Sequence, residues 1–286
     1  MKKLCLILCA VLLLGTLAGC SFGFQKEYQN ADRYSVGNAV IDTPVDDLKI
    51  DWPSGKIDLK LHDQPTVILE ETAPEELPEQ KQMHWLVKGN SLTVRFSASS
   101  FGLMPKKSLT VWLPKDRVLK SFKLDSASAD FTSEAFSAQL AEFDAASGKV
   151  NAVMDSVGTL NAEAASGDVC VKARTVSRLE ADTASGNISA NIERIGSVSA
   201  ETASGSVSLS FGSTPPSAQI ETASGDVKLA LPHDADFTAE IDTASGEFIC
   251  DFAVIPGKNV YVCGSGENKI EAETASGDII LTFSDR

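Results

Sequence analysis

Nine acidic side chains recur at one fixed offset in this chain: Asp51, Asp125, Asp144, Glu163, Asp182, Glu201, Glu221, Asp242 and Glu273 each stand three residues before a serine. More acid lies beside them at Glu142, Glu180, Glu240 and Glu271. If the segments carrying them stack, the carboxylates form a row. Two unit charges ~5 Å apart repel by roughly 1 kcal/mol in water and several times more near a protein surface. Such a row should raise some carboxyl pKa values or attract cations. Calcium, a hard ion that takes carboxylate oxygens, is the sharper expectation, with Asp144, Glu163, Asp182, Glu201, Glu221, Asp242 and Glu273 as its candidate ligands. The plainer reading is a solvated acidic face that keeps a long sheet soluble and deters side-by-side pairing. A retaining glycosidase also places two carboxylates ~5 Å apart. That chemistry needs one pair with divergent environments, and near-identical rungs offer no privileged pair. No catalytic residue is assigned, and the chain is read as a non-enzyme.

A second chemistry sits at the N-terminus. Lys2 and Lys3 precede an apolar run from Leu4 to Leu14, which is too short for a comfortable membrane span and reads as a secretory signal. It ends in Leu17-Ala18-Gly19-Cys20, which resembles the bacterial lipobox. That resemblance implies a diacylglyceryl thioether on Cys20 and cleavage before it, and two fatty chains are about what stable anchoring requires. The expected location is the cell membrane, lipid-anchored on the extracytoplasmic side. Loss of residues 1–19 removes two lysines and moves the net charge from −14 to −16. So acidic a chain is a poor partner for nucleic acid, and its membrane contact should run through the lipid. Of the other cysteines, Cys5 and Cys9 leave with the signal. The odd remainder of Cys170, Cys250 and Cys263 argues against a disulfide framework, with a Cys250–Cys263 bridge left open. Only His62, His84 and His233 could join them, without metal-type spacing, so no zinc site is expected.

The elements that must position the acids follow from the repeat. Ser-Gly recurs at Ser147, Ser166, Ser185, Ser204, Ser224, Ser245 and Ser276, in steps of 19, 19, 19, 20, 21 and 31 residues. Related copies stand at Ser54-Gly55 and Ser128-Ala129. Aligned on the serine, the positions six and four before it are apolar, as in Leu160 and Ala162, and so are those three and five after it, as in Val169 and Val171. Period-two alternation over two short runs marks half-buried strands. Each repeat therefore reads as strand, Ser-Gly corner, strand, return loop. Glycine suits the corner because it accepts positive φ, and the following Asp or Asn can bond back into the turn. One such coil cannot bury its apolar side alone and must stack. The expected fold is an all-β parallel solenoid of short coils, with a propeller as the runner-up, although propeller blades need ~40 residues. By parity the acids face out. Thr183, Thr202, Thr222, Thr243 and Thr274, two before the serine, face in, which argues against an ice-binding surface. Cys170 faces out and reads as an incidental thiol.

The expected organisation is a signal peptide over 1–19, an acylated tether over 20–40 and a solenoid over 41–286. An antiparallel β insertion is expected over 62–120 and a long loop over 251–267. The run from Leu48 to Leu59 (Leu-Lys-Ile-Asp-Trp-Pro-Ser-Gly-Lys-Ile-Asp-Leu), Leu109 to Pro114 (Leu-Thr-Val-Trp-Leu-Pro) and the repeated Thr-Ala-Ser-Gly-Asp resemble the bacterial "putative adhesin" β-strand-repeat family, a domain of unknown function, over roughly residues 36–286. The resemblance implies a solenoid found on membrane-anchored envelope proteins, and it supplies no catalytic residues. Two functions remain open at this point. One is a tethered rod that binds an envelope protein or surface polymer. The other is a regulatory or structural lipoprotein acting through a membrane-protein partner.

Overall fold

The apolar rows stack coil on coil. In the computed structural model, which describes residues 31–98 and 104–284, Leu160 pairs with Leu179 and Ala162 with Ala181, and these in turn with Val198 and Ala200. On the other wall Val150, Val169, Ile188 and Val207 line up in the same parallel register. All of these side chains are buried. The described residues lie mostly in strands with no α-helix among them, and the sheet is mostly parallel, as the alternation predicts. Cys20 and the signal lie outside the described residues, as does the tether up to residue 30.

Each coil is named below by its corner serine. From the Ser147 coil to the Ser204 coil the three returns are no loops: Val150–Ala164, Val169–Thr183 and Ile188–Thr202 are each one unbroken strand that bends from wall to wall. The longer steps of 20 and 21 residues come from true return loops at 212–216 and 232–236, which carry Pro215, Pro216 and Pro232. Proline has no N–H to give to a parallel ladder, so the strand stops there.

Spatial order departs from sequence order at both ends. The Ser276 coil (Asn268–Ser276 and Ile279–Phe283) slots between the Ser224 and Ser245 coils, pairing with Ser217–Ser224 on one side and Phe237–Thr243 on the other. At the N-terminal end Ser91–Arg95 and Ser108–Pro114 pair in parallel outside the Ser54 coil, whose other side meets Val118–Ser126 and Asp130–Ser133. Part of the insertion expected to be antiparallel, its strands Ser91–Arg95 and Ser108–Pro114, is therefore a tenth coil of the stack. The other two are antiparallel as expected: Val67–Thr72 covers Ser108–Pro114, and His84–Lys88 covers Ser91–Arg95. At the far end Val260–Cys263 covers Phe237–Thr243 in the same way, so the expected loop over 251–267 contains a capping strand. Covered edges keep a long parallel stack from growing by pairing with other chains. Ten coils at ~4.8 Å make a rod on the order of 40 Å long.

The core changes along the rod. Near the N-terminal end Phe122, Phe131, Phe136 and Phe143 pack ring on ring, with centroids 5.2–5.6 Å apart. In the middle the position four before the serine is filled by Ala162, Ala181 and Ala200, where the coils nearer the N-terminal end carry Leu124 and Phe143.

Candidate functional site: the acidic face

The corner explains how the acids come to lie in line. A methyl group on Gly186 would sit 2.1 Å from the Gly167 carbonyl oxygen, and one on Gly205 2.2 Å from that of Gly186. Gly148, Gly167, Gly225 and Gly277 meet the coil below in the same way. Close stacking is thus the common demand on the corner glycine, whereas positive φ occurs in only some of the coils. Beside it, Thr202 Oγ1 donates to Gly186 O (3.2 Å), Thr222 Oγ1 to Gly205 O (3.0 Å) and Thr274 Oγ1 to Gly225 O (3.1 Å). The inward threonines are therefore structural, as parity predicts. The Asp or Asn after the glycine works between coils and not within its own turn. Asp168 Oδ1 accepts from the Asn187 N–H (3.2 Å), and Asn187 Oδ1 from the Ser206 N–H (3.0 Å).

With the corners locked, the carboxylates fall into one continuous register. Asp51 stands opposite Asp125, then come Asp144, Glu163, Asp182, Glu201, Glu221, Glu273 and Asp242. Glu273 thus precedes Asp242 in space. Arg95 occupies the same offset in the outermost N-terminal coil and lies 3.6 Å from Asp51. Lys49 and Lys123 reach Asp125 at 2.6 and 3.5 Å. Among the described residues no salt bridge reaches Glu163, Asp182, Glu201, Glu221 or Glu273. The consequence is electrostatic. Burial, followed by the charges of Glu201, Glu163 and Glu180, pushes the Asp182 carboxyl up to about 6. Burial and Glu221 push Glu201 up, and burial with Glu221 and Asp242 does the same to Glu273. Asp51 is also raised by burial and by Asp125, against the pull of Arg95 and Lys49.

On the opposite wall one outward row is uncharged where the acidic row is densest. Its outward row runs Thr132, Asn151, Cys170, Ser189 and Ser208, in register. Burial and Asp168 raise the Cys170 thiol, which leaves it a poor nucleophile. Among the described residues no group of three His, Cys, Asp or Glu is arranged to hold a metal ion, and no helix is long and apolar enough to cross a membrane. A cleft of about 360 Å³ lies at the N-terminal end, between Pro44, Val45, His62, Val67, Leu113 and Arg117, and none of the acidic row lines it.

Two groups near the N-terminal end escape a reading anchored on serine. Arg95 follows Leu92-Thr-Val94 as Asp51 follows Leu48-Lys-Ile50, so aligning on the apolar alternation finds it. Lys107 is 3% exposed and lies 2.5 Å from Glu71, while its Nζ donates to Lys81 O (2.7 Å) and to Phe96 O. The ammonium also sits 5.0 Å from the Trp52 ring centroid and 4.1 Å from that of Phe96. Burial lowers its pKa, opposed by Glu71. No spacing in the sequence announces this pair.

The fold and face define a capped, mostly parallel β-solenoid whose chemistry is spread along a wall. The chain matches the model of the Toastrack DUF4097 family, a domain of unknown function, over residues 56–282, and it belongs to that family. It is similar to a crystal structure described as a "putative adhesin" from Parabacteroides distasonis, at 14% identity and TM-score 0.49, covering 86% of this chain and 97% of that one. A "putative lipid binding protein" from the same organism aligns at 14% identity and TM-score 0.43, over 86% of this chain and 94% of that one. A "putative adhesin" from Bacteroides fragilis aligns at 12% identity and TM-score 0.37, over 86% and 97%. No curated protein matches the chain.

Proposed function

We propose that this chain is a lipid-anchored, extracytoplasmic binding protein whose solenoid presents its walls to a partner on the cell envelope, without catalysis. The observation that carries this reading is the distribution of the chemistry. The acids run in one register along an open wall and do not converge in a cleft, which suits contact with an extended polymer or a protein surface. The capped ends fit a rod that works singly. The anchor is the acylated Cys20 in the Leu17-Ala18-Gly19-Cys20 motif.

Two measurements test it. Replacing Cys20 by Ala should move the protein out of the membrane fraction, and a protein that stays there ends the lipoprotein assignment. Cross-linking in membranes followed by pull-down, run beside binding to intact cells and envelope glycans, then separates the functions. Binding to cells or glycans supports adhesion, whereas one dominant membrane-protein partner supports a regulatory or structural role. The reading requires no bound metal. Calorimetric titration with calcium, using Glu201→Gln with Glu221→Gln as control, tests whether the acidic row takes one.

A further inference from the structure

The C-terminal cap holds two free thiols that nothing above employs, Cys250 and Cys263. Cys250 ends the second strand of the outermost coil, Phe248–Cys250, and Cys263 ends the capping strand, Val260–Cys263. Phe248 and Tyr261 meet ring to ring across the end of the core, with centroids 4.4 Å apart. Each cysteine lies two residues beyond its ring, which in a strand returns a side chain to the same side. All four side chains pack, partly buried, against the hydrophobic core. The thiols have weak alternatives: Cys250 Sγ lies 3.8 Å from Phe252 O, and Cys263 Sγ 3.3 Å from Ala235 O. Burial pushes both thiols up, and the nearby Cys263 adds to the effect on Cys250. Both are therefore slow nucleophiles at neutral pH.

From this juxtaposition we infer that Cys250 and Cys263 are a dithiol–disulfide site that latches the C-terminal cap. The oxidant is another disulfide, small or carried by a protein. The Cys263 thiolate attacks one of its sulfurs to give a mixed disulfide. That attack breaks the oxidant's own S–S bond and frees its other sulfur as a thiolate; the Cys250 thiolate then attacks the Cys263 sulfur and displaces the oxidant sulfur bound to it. Two protons leave the cysteines, two electrons pass to the oxidant, and its two sulfurs depart as thiols. The bond would close the segment between the outermost coil and the Ser276 coil that slots beneath it. It would thus tie the capping strand to the outermost coil and stabilise the cap by limiting the freedom of the unfolded chain.

The test uses the full chain in detergent, treated with oxidised glutathione in mildly alkaline buffer. Lys258 lies between the two cysteines, so trypsin leaves them on separate peptides unless a disulfide joins them. The expected result is one linked pair carrying Cys250 and Cys263, with Cys170 still open to alkylation. The melting temperature should rise by several degrees and fall back with dithiothreitol, and Cys263→Ser should abolish both changes. The inference is overturned if both cysteines stay alkylatable after prolonged oxidation. It is equally overturned if each ends as a glutathione adduct, or if the linked peptides join Cys170 or two chains.

Discussion

At the N-terminal end the coils are joined by contacts that occur once, and in the middle by contacts that recur from rung to rung. The first region has four interlocked phenylalanines, the Lys107–Glu71 pair under Trp52 and Phe96, and cations on its stretch of the acidic row. The second has alanines next to the corner, a glycine at each corner, on several rungs a threonine that caps the glycine carbonyl below, and a row of carboxylates that no salt bridge reaches. A repeat can be copied because each contact concerns only the next coil. Its cost is that any unfavourable term is copied too, and the acidic row is that term. An end cannot be copied, so it must be closed by particular side chains.

The sharpest way to break the contrast is at Lys107. Lys107→Ala leaves Glu71 8% exposed in its side chain with no counter-charge and empties the space under Trp52. Removing one partner of a buried ion pair typically costs ~3–5 kcal/mol. Urea unfolding should show that loss, and hydrogen exchange should place the added opening in Val67–Thr72 and Ser91–Arg95 and spare the middle coils. Uniform opening along the rod would mean that the cap is no separate structural unit.

In the middle the corresponding weak point is the corner. Gly186→Ala drives a methyl to 2.1 Å from Gly167 O and 2.8 Å from its carbonyl carbon, which the two coils can relieve only by moving apart. Overpacking of this kind costs ~1–3 kcal/mol. Gly89 in the N-terminal cap has φ near 62° but open space around it, so Gly89→Ala pays only for its backbone, about 1 kcal/mol. Equal losses in the two variants, measured by urea unfolding, would deny that close stacking governs the corner.

Much of the middle was legible in the sequence because its contacts repeat with the chain. The nineteen-residue step fixes which residues face in, and Leu160, Leu179 and Val198 are buried where the alternation puts them. The outward row of acids follows from the same parity. What escaped is whatever depends on one place. Arg95 lacks a Ser-Gly corner to align on, and Lys107 meets Glu71 from 36 residues away in the chain. The interleaving of the Ser276 coil leaves no mark in the pattern, since every coil presents the same edges and the register suits either order. The role of the corner Asp and Asn was misjudged for a related reason. A bond within the turn and a bond to the next coil ask for the same residue types, and only the stack decides between them.

A smaller effect tests the charge side of the contrast. Asp182 has its folded pKa raised from 3.8 to about 6, so its ionised form is disfavoured in the stack. Its contribution to stability is fully present below pH 3.8 and is lost as the pH rises through about 6. The full shift corresponds to ~3 kcal/mol at ~1.4 per unit, and solvent screening of a partly exposed group brings it to ~1–2 kcal/mol. Asp182→Asn should therefore stabilise the protein at neutral pH by that amount and flatten its rise in melting temperature between neutral pH and pH 4.5. Glu201 and Glu273 act in the same direction and should leave part of the slope. A variant no more stable than its parent at neutral pH would mean that the acidic row is not under strain.

The smallest effect separates two neighbouring rungs that look alike in sequence. Thr202 and Thr183 hold the same place before the corner, and both are buried, at 0% and 1% exposed. Thr202 Oγ1 donates to Gly186 O at 3.2 Å, whereas Thr183 Oγ1 has no hydrogen-bond partner. A net hydrogen bond is worth ~1 kcal/mol, and a buried hydroxyl without one carries only its desolvation penalty. Valine matches threonine in shape, so the swap changes little besides the hydroxyl. Thr202→Val should lose ~1 kcal/mol in urea unfolding, while Thr183→Val should be neutral or gain a few tenths. Both variants should keep the same dependence on urea, because neither changes the surface exposed on unfolding. If Thr183→Val loses as much as Thr202→Val, the threonine ladder runs unbroken through the Ser185 coil. The repeated contacts would then be more uniform than the geometry of these two rungs implies.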